Sequence, residues 1–461
     1  MRTLSACLLA SIVSVGAFAA PTASAAKRVP CVIGEKGGPK CSVLEARVKW
    51  SADGDTVKPK IRKGNKWLTK RPVRMTGIQA MELYNYSRRS RKGECMAVEA
   101  AEALDKLVHG QVFRLVSMRK AAGGGARGRL RSTLQVKKGG RWIDPAMVLL
   151  EKGLVLWNPD GDEWAWNDAY SGIAQEAAAR GVGIWNPEAC KRPGPSQNSP
   201  LKIKVKWNGG GHETANSEWV RITNQDPFFP VSLAGWRLRD ASARSKGVKD
   251  KGAYRFPADA EIPAGGSVIV RVGRGTNGNG TFYWGLGNPL FQNVKKDKRN
   301  MGDGVYLFDP QLEMRAHVQY PCRTSCVEPL AGKVNVTARY EGATYEWVTV
   351  SNTSGEPISL DGYEMESVPW FYEFGPADAL APGQALILFR NKADFVPVTD
   401  ARAGLVPAVP GRVPFQNATI FRNWGHTEAL FGDKSDIVTL RNPFGAPVIC
   451  HAWGGERCPS A

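Results

Sequence analysis

The 461-residue chain carries 62 Lys and Arg against 43 Asp and Glu, a formal net charge of +19, and 43% of its residues are hydrophobic. This length predicts two to four domains and argues against a single small one. Between residues 27 and 195 there are 32 Lys and Arg against 17 Asp and Glu, whereas the remainder is nearly neutral. A basic excess concentrated in one part of a chain favours a polyanionic partner such as DNA or RNA.

The first 26 residues predict a cleaved export signal. Arg2 is followed by an apolar run from Leu4 to Ala20 and by Ala23-Ser24-Ala25, the small-residue pattern of a cleavage site. No later stretch is long and apolar enough to span a bilayer. We therefore expect a secreted protein with no membrane-spanning segment.

The cysteine count fits an exported protein. Eight cysteines remain after the signal, an even number that favours disulfides, with pairing within each half of the chain as the simplest arrangement. They are Cys31, Cys41, Cys95, Cys190, Cys322, Cys326, Cys450 and Cys458. Zinc is the alternative for Cys322 and Cys326, with His317 nearby.

The first half of the chain predicts a mixed β-rich domain. Residues 27–43 are expected to form a loop-rich arm. Strands are predicted over Leu44–Trp50, Thr56–Ile61, Trp67–Met75, Gln111–Val116 and Leu130–Val136. Helices are predicted over Glu94–Val108, Asp144–Lys152 and Asp168–Arg180. Five strands with intervening helices suit a small barrel of the OB type, whose exposed face and loops bind nucleic acid.

Three motifs in this region carry a resemblance to a known family. Asp53-Gly54-Asp55-Thr56 is followed by Arg74, by Glu82 eight residues later, and then by Gly128-Arg129. In this order the motifs over residues 44–191 resemble the staphylococcal-nuclease-like (thermonuclease) family. The resemblance implies an OB-fold β-barrel with helices and hydrolysis of phosphodiester bonds in DNA, RNA or both, leaving 3′-phosphate ends.

The resemblance also implies a role for each matching residue. Arg74 and Arg129 would clamp the phosphate and stabilise the transition state, since a guanidinium binds two phosphate oxygens at once. Glu82 would orient or deprotonate the attacking water. The neighbouring Arg127 and Arg131 leave open a slip of two residues in the assignment of Arg129.

A calcium ion is the cofactor that the resemblance implies. Asp55 would supply a carboxylate ligand and Ala80 a backbone carbonyl. The family usually has aspartate where this chain has Gln79. Glutamine offers only a neutral oxygen, so weaker calcium binding or a changed metal preference is expected.

Other polar and aromatic features have competing interpretations. Asp160-Gly161-Asp162 looks like a metal-binding turn but lies in an acidic loop. Four tryptophans could stack on bases or belong to the core: Trp142, Trp157, Trp164 and Trp166. The five histidines are scattered without metal or triad spacing, and the glycine run lacks the lysine of a phosphate-binding loop.

A linker is predicted at residues 192–200, and beyond it the chain repeats itself. Glu218–Asn224 (Glu-Trp-Val-Arg-Ile-Thr-Asn) is echoed about 128 residues later by Glu346–Asn352 (Glu-Trp-Val-Thr-Val-Ser-Asn). Frequent turns and short alternating strands indicate two tandem immunoglobulin-like β-sandwiches, over residues 201–326 and 327–461. Their motifs resemble the lamin-tail domain. The fold class predicted for the whole chain is therefore mainly β and multidomain.

Three functions remain open from the sequence. The first is a secreted, metal-assisted nuclease whose sandwiches serve as accessory modules for anchoring, substrate capture or protein contact. The second is a non-catalytic nucleic-acid or cell-surface binding protein whose nuclease site has decayed at Gln79. The third places the main function, such as surface attachment, in the sandwiches.

Overall fold

The computed structural model describes residues 28–83, 85–87, 90–119, 123–124, 130–190, 200–207, 214–242, 252–294, 302–323, 328–340, 346–367, 370–375, 377–390, 395–397, 405–407, 418–443 and 446–458. The predicted export signal and nearly all of the predicted linker lie outside these residues. Within them the chain is mostly β-structure, arranged in several sheets. Among these residues no helix is long and apolar enough to cross a membrane.

Residues 28–190, here called the N-terminal region, contain the α-helices of the described chain. The strands are β1 (Arg28–Pro30), β2 (Lys40–Asp53), β3 (Thr56–Lys63), β4 (Lys66–Thr69), β5 (Val73–Arg74), β6 (Ile78–Ala80), β7 (Asn85–Ser87), β8 (Ser90–Lys92), β9 (Val112–Ser117), β10 (Gly123–Gly124), β11 (Leu130–Arg131), β12 (Thr133–Lys138), β13 (Arg141–Ile143) and β14 (Val155–Trp157). The helices are α1 (Ala97–Val108), α2 (Pro145–Glu151) and α3 (Asn167–Ala179), with short 3-10 helices at Trp164–Trp166 and Gly183–Trp185.

The main sheet of this region closes on itself. Its strands follow the order β5-β3-β2-β9-β12. Only Ser132 separates β12 from β11, and β11 pairs in parallel with β5, with Leu130 opposite Val73. The last strand of the path therefore returns to the first. Asp144 caps α2 as predicted, accepting a hydrogen bond from the Ala146 N–H over 2.8 Å.

The structure contains strands that the sequence did not predict, among them β6, β13 and β14, and two predicted elements take a different form. Instead of a loop-rich arm over residues 27–43, β1 pairs with the first residues of β2. The Cys31–Cys41 disulfide closes this hairpin. The single strand predicted over Trp67–Met75 is two strands, β4 and β5. Pro72 lies in the break, where a residue without an N–H cannot continue a hydrogen-bond ladder.

Residues 200–323, the central region, form two packed four-stranded sheets in the orders β15-β16-β21-β22 and β19-β18-β23-β24. The strands are β15 (Leu201–Lys206), β16 (Trp219–Asn224), β17 (Val231–Ser232), β18 (Arg237–Asp240), β19 (Ala253–Arg255), β20 (Glu261–Ile262), β21 (Ser267–Arg271), β22 (Thr281–Tyr283), β23 (Asp303–Phe308) and β24 (Met314–Tyr320). One hydrophobic core, with Trp236 and Phe256 at its centre, lies between the sheets.

Residues 328–458, the C-terminal region, repeat this topology in the orders β25-β26-β31-β34 and β29-β28-β35-β36. The strands are β25 (Val334–Arg339), β26 (Trp347–Asn352), β27 (Ile358–Ser359), β28 (Glu364–Ser367), β29 (Trp370–Glu373), β30 (Ala379–Leu380), β31 (Ala385–Phe389), β32 (Phe395–Pro397), β33 (Leu405–Pro407), β34 (Ala418–Asn423), β35 (Asp436–Arg441) and β36 (Pro447–Trp453). The repeat detected in the sequence is therefore a repeat of the fold.

The repeated Glu-Trp-Val motif has the same structural role in both copies. Glu218 is completely buried, and its carboxylate accepts hydrogen bonds from the backbone N–H groups of Leu290 and Phe291. Glu346 is equally buried and accepts from Leu430 and Phe431. Each glutamate thus fixes a distant loop to the start of an inner strand, because a buried carboxylate needs donors for its oxygens.

Disulfides within each half of the chain are confirmed for Cys31–Cys41, Cys95–Cys190 and Cys450–Cys458. Cys322 is also disulfide-bonded, whereas Cys326 lies outside the described residues. The zinc alternative for Cys322 is wrong, because an oxidised cysteine offers no thiolate to a metal. His317, its suggested partner, packs against Trp185 instead, with the ring centroids 4.6 Å apart.

The N-terminal and central regions share a buried interface. Its hydrophobic cluster joins Met81, Ala97, Leu156, Ala177, Ile184 and Trp185 to Ala241, Tyr306, Phe308 and Met314. Polar contacts surround it: the Gln175 amide donates to the Pro321 carbonyl over 2.9 Å, and the Arg315 Nη1–H donates to the Pro187 carbonyl over 3.0 Å. On the other side of the central region, Arg221 forms an ion pair with Asp361 of the C-terminal region over 2.8 Å.

This interface predicts a stability loss in acid. Burial lowers the pKa of His317 from its ordinary 6.5 to about 4, so the unfolded chain takes up a proton before the folded protein does. The contribution of His317 to the free energy of unfolding is fully present above pH 6.5. It is lost as the pH falls toward 4, and the loss is roughly 1–3 kcal/mol. Urea unfolding at several pH values should show a shallower pH dependence for His317→Gln. His109→Gln, a change at an exposed histidine, is the control. Equal pH dependence of the unfolding free energy in the wild type and both variants would contradict the assignment to His317.

Candidate active site

The candidate site lies where three neighbouring segments of the N-terminal region meet. Asp55 lies in the two-residue turn between β2 and β3, Arg74 ends β5 opposite Thr56, and Gln79 and Ala80 belong to β6. Two glycines permit this arrangement. A Cβ on Gly54 would lie 2.5 Å from the Cβ of Ala100, so the turn can approach α1 only without a side chain.

The second glycine, Gly77, joins β5 to β6. Its φ of +76° belongs to the left-handed region, and an added Cβ would lie 2.7 Å from the Tyr170 ring. Gly77 therefore allows the chain to reverse between Arg74 and Gln79. This reversal brings the two side chains together although they belong to different strands.

The structure brings together four of the six predicted site residues. Arg74 bridges two of them: its Nη1–H donates to Asp55 Oδ1 and its Nη2–H donates to Gln79 Oε1, each over 2.6 Å. The Ala80 N–H donates to Asp55 Oδ2 over 2.6 Å, and the Gln79 Nε2–H donates to the Ala80 carbonyl over 2.8 Å. Thr56 adds a hydroxyl donor to Asp55 Oδ1 over 2.9 Å.

Burial makes these contacts strong and directional. Asp55 and Gln79 are 1% and 3% exposed, and the Arg74 side chain is 13% exposed. An ion pair in such surroundings is screened little by water, and its arginine is held in one orientation. The remaining N–H groups of Arg74 donate to no other residue that the structure describes. Asp55 and Gln79 thus hold the guanidinium in one orientation.

Asp53 is a functional candidate that the sequence did not single out. Its Oδ1 accepts the Asp55 N–H over 3.1 Å. Burial first, and then the charge of Asp55, raises the pKa of Asp53 to about 7. A carboxyl group with a pKa near 7 is partly protonated at neutral pH, so Asp53 and Asp55 together carry less negative charge than two ionised carboxylates would. The Asp-Gly-Asp motif was the available signal, but it did not show which carboxylate loses its solvation.

The other two predicted catalytic residues are Glu82 and Arg129, and of these only Glu82 belongs to the described residues. Glu82 lies two residues beyond β6 and is half-buried. Its N–H donates to Glu94 Oε2 and its carbonyl accepts from the Glu94 N–H, each over 2.8 Å. Arg129 lies outside the described residues. The rival assignment, Arg131, forms an ion pair with the buried Asp160.

The oxygen atoms expected to bind calcium are of the right chemical kind, but together they carry little negative charge. The carboxylate of Asp55, the amide oxygen of Gln79 and the carbonyl of Ala80 are all hard oxygen ligands. Within the described residues, however, no group of three or more His, Cys, Asp or Glu is placed to hold a metal. Asp55 is the one carboxylate among the three expected ligands, and each of them already accepts a hydrogen bond.

Asp160 and three of the four tryptophans, Trp142, Trp157 and Trp166, make contacts within the protein. Asp160 Oδ1 accepts the N–H groups of Asp162 and Glu163, so the Asp-Gly-Asp sequence forms a local turn. Trp157 and Trp166 are buried in the core, as their non-binding interpretation predicts. The Trp142 ring lies 3.7 Å below the Arg114 guanidinium in a cation–π contact.

The two packed sheets of the central region define an immunoglobulin-like β-sandwich. Residues 195–322 match the family model described as Lamin Tail Domain, in agreement with the resemblance of their motifs. This match does not extend to the N-terminal region. No curated protein matches the chain.

Proposed function

We propose that the protein is a secreted nuclease that hydrolyses phosphodiester bonds of DNA, RNA or both in its N-terminal region. The observation that carries this proposal is the oriented arginine: Arg74 is fixed by Asp55 and Gln79 at the end of a strand. A preorganised guanidinium is what phosphoryl chemistry requires, since it neutralises charge that develops on the phosphate without reorganising first. The closed strand path of this region supports an OB-type barrel.

The proposed mechanism assigns each residue a task. Arg74 binds the scissile phosphate through the N–H groups that do not contact Asp55 and Gln79. Arg129 is proposed, by resemblance alone, to bind the same phosphate from a second side. Glu82 accepts a proton from the attacking water or orients it. Asp55, Gln79 and the Ala80 carbonyl would hold a calcium ion, which when bound would polarise the phosphate.

The other two regions are proposed as accessory modules. A lamin-tail-like sandwich fits a protein-binding role, and the equivalent topology of the C-terminal region extends this role to a second module. Residues 201–326 hold 19 Lys and Arg against 11 Asp and Glu, and residues 327–461 hold 10 against 15, whereas residues 27–195 hold 32 against 17, the largest basic excess of the three. We assign nucleic-acid binding to the N-terminal region, and attachment to a protein or cell surface to the sandwiches.

Digestion of single- and double-stranded DNA and RNA tests the enzyme directly. Mature protein is assayed with calcium, with magnesium and with a chelator, beside Glu82→Gln and its control Glu99→Gln, an exposed glutamate on α1. Metal-dependent cleavage that Glu82→Gln alone abolishes is the expected result. Arg129→Ala and Arg131→Ala are compared in the same assay to decide which arginine serves the reaction.

A non-catalytic binding protein is the second candidate, and one observation favours it. Gln79 stands where the resembled family has a carboxylate, and its amide oxygen accepts a hydrogen bond from Arg74 instead. Well-folded wild-type protein that binds DNA in a salt-sensitive way but cleaves nothing under any metal condition would establish this candidate and overturn the nuclease.

Restoring the carboxylate gives a prediction for the metal. Gln79→Asp is expected to tighten calcium binding about tenfold or more, because calcium affinity rises with the number of charged ligands. Titration calorimetry with calcium measures this directly. Gln79→Glu adds the same charge without shortening the side chain, and Gln111→Glu adds it at an exposed position elsewhere. Unchanged calcium affinity in both position-79 variants would contradict calcium binding at this site.

A further inference from the structure

Arg239 of the central region lies deep in the interface with the N-terminal region. It belongs to β18, is 3% exposed, and its guanidinium lies over the Phe308 ring at 4.2 Å. Its Nη1 lies 3.4 Å from Glu94 Oε1, and its Nη2–H points at the Met81 sulfur over 3.3 Å. A charged side chain from one region thus contacts two residues of the other.

Both of these contacts flank the proposed catalytic Glu82. Met81 precedes it in the chain and is 1% exposed within the interface cluster. Glu94 is joined to the Glu82 backbone by two hydrogen bonds of 2.8 Å, one in each direction. The same Glu94 carboxylate therefore accepts the Glu82 N–H with Oε2 and meets Arg239 with Oε1.

The burial of the pair explains why it can orient a backbone. The Arg239 and Glu94 side chains are 4% and 3% exposed, so neither can replace its partner by water without opening the interface. The contact with Arg239 restricts the Glu94 carboxylate, and through it the backbone of the segment that carries Glu82.

We propose that Arg239 is a positioning residue for the nuclease reaction, acting through Glu94 on Glu82. The inference rests on the proposed function, since it requires Glu82 to serve the reaction. Under it the central β-sandwich is part of the active-site scaffold rather than only an attachment module. The sandwich holds the 81–82 segment from outside the barrel, through Met81 on one side and Glu94 on the other.

Steady-state cleavage by full-length Arg239→Gln tests the inference. The expected result is a fall in kcat of about 10- to 100-fold with KM for DNA nearly unchanged, because misplacing a catalytic group by a fraction of an ångström affects the rate and leaves phosphate binding intact. Arg239→Lys keeps a cation for Glu94 and is expected to recover part of the loss. Arg323→Ala is the matched control: Arg323 pairs with Asp168 across the same interface, at 30% and 61% exposure.

A second pair of measurements separates positioning from loss of fold. Hydrogen exchange of the Glu82 amide is expected to accelerate in Arg239→Gln and to stay at the wild-type rate in Arg323→Ala. Combining Arg239→Gln with Glu94→Gln should lower kcat little further than either change alone, since both break one connection. If Arg239→Gln does not fold, Arg239→Lys and Glu94→Gln are assayed by the same two readouts.

The outcomes distinguish this inference from the proposed function. An active wild type with unchanged kcat and unchanged Glu82 exchange in the Arg239 variants overturns the inference and leaves the nuclease standing. Equal losses in Arg239→Gln and Arg323→Ala also overturn it, because any loosening of the interface would then suffice. A folded wild type that cleaves nothing overturns the nuclease, and this inference with it.

Discussion

Arg74→Lys is expected to lower the rate of nucleic-acid cleavage by about 100- to 1000-fold, the range observed when one preorganised donor is lost from a transition-state site. Lysine keeps the positive charge beside the buried Asp55, so no unpaired carboxylate is created. It cannot donate in two fixed directions from one planar group, as Arg74 does to Asp55 and Gln79 over 2.6 Å each. The phosphate would then meet a mobile point charge in place of an oriented fork.

Arg62→Lys is the matched control for this prediction. Arg62 lies on β3 of the same sheet and pairs with Glu45 at the surface, where both side chains are more than 40% exposed. Initial rates and thermal unfolding are measured for both variants. A wild-type cleavage rate in Arg74→Lys would show that the reaction does not depend on the Arg74 guanidinium. A large fall in Tm with a proportionate loss of activity would assign Arg74 to stability.

The contacts near the site that could be predicted from the sequence are local. Asp55 and Arg74 meet because one hairpin turn and one short strand pairing bring them together, and the sequence placed both in one site only through their resemblance to the nuclease family. Gln79 joins them through the reversal at Gly77. Even here the sequence did not show that Arg74 would bridge Asp55 and Gln79, because this depends on side-chain orientation inside a buried site.

The contacts that could not be predicted are those between regions. Glu94 and Arg239 are 145 residues apart, and no periodicity connects them. Their pairing depends on how two separately folded regions dock, which is decided by a hydrophobic cluster assembled from both. Arg239 belongs to the alternating polar and apolar run Arg237-Leu238-Arg239 of β18, a pattern that many strands share. Its burial therefore follows from the interface and has no local signal.

The repeated motif shows the same limit in another form. The pattern Glu-Trp-Val was visible as a repeat, and the repeat predicted tandem sandwiches. The function of its first residue was not visible, since Glu218 binds a loop 72 residues away that has no obvious counterpart in the motif. A repeated glutamate on a surface and a repeated glutamate in a core look alike in sequence.

Glu346→Ala is expected to destabilise the C-terminal region by about 2–4 kcal/mol, because two buried N–H groups lose their acceptor. These are the N–H groups of Leu430 and Phe431, and Arg390 loses a partner 3.7 Å away as well. Glu218→Ala should have a similar effect in the central region. Denaturant unfolding followed by hydrogen exchange measures both losses region by region.

The two alanine variants control each other. Because the motif repeats one structural solution, Glu346→Ala should accelerate exchange in β26 and β31 and leave β16 and β21 protected, and Glu218→Ala should do the reverse. Loss of protection in both sandwiches from either change would mean that they unfold as one unit. In that case the ion pair of Arg221 with Asp361 would be part of a cooperative interface, and the tandem modules could not act as independent binding units.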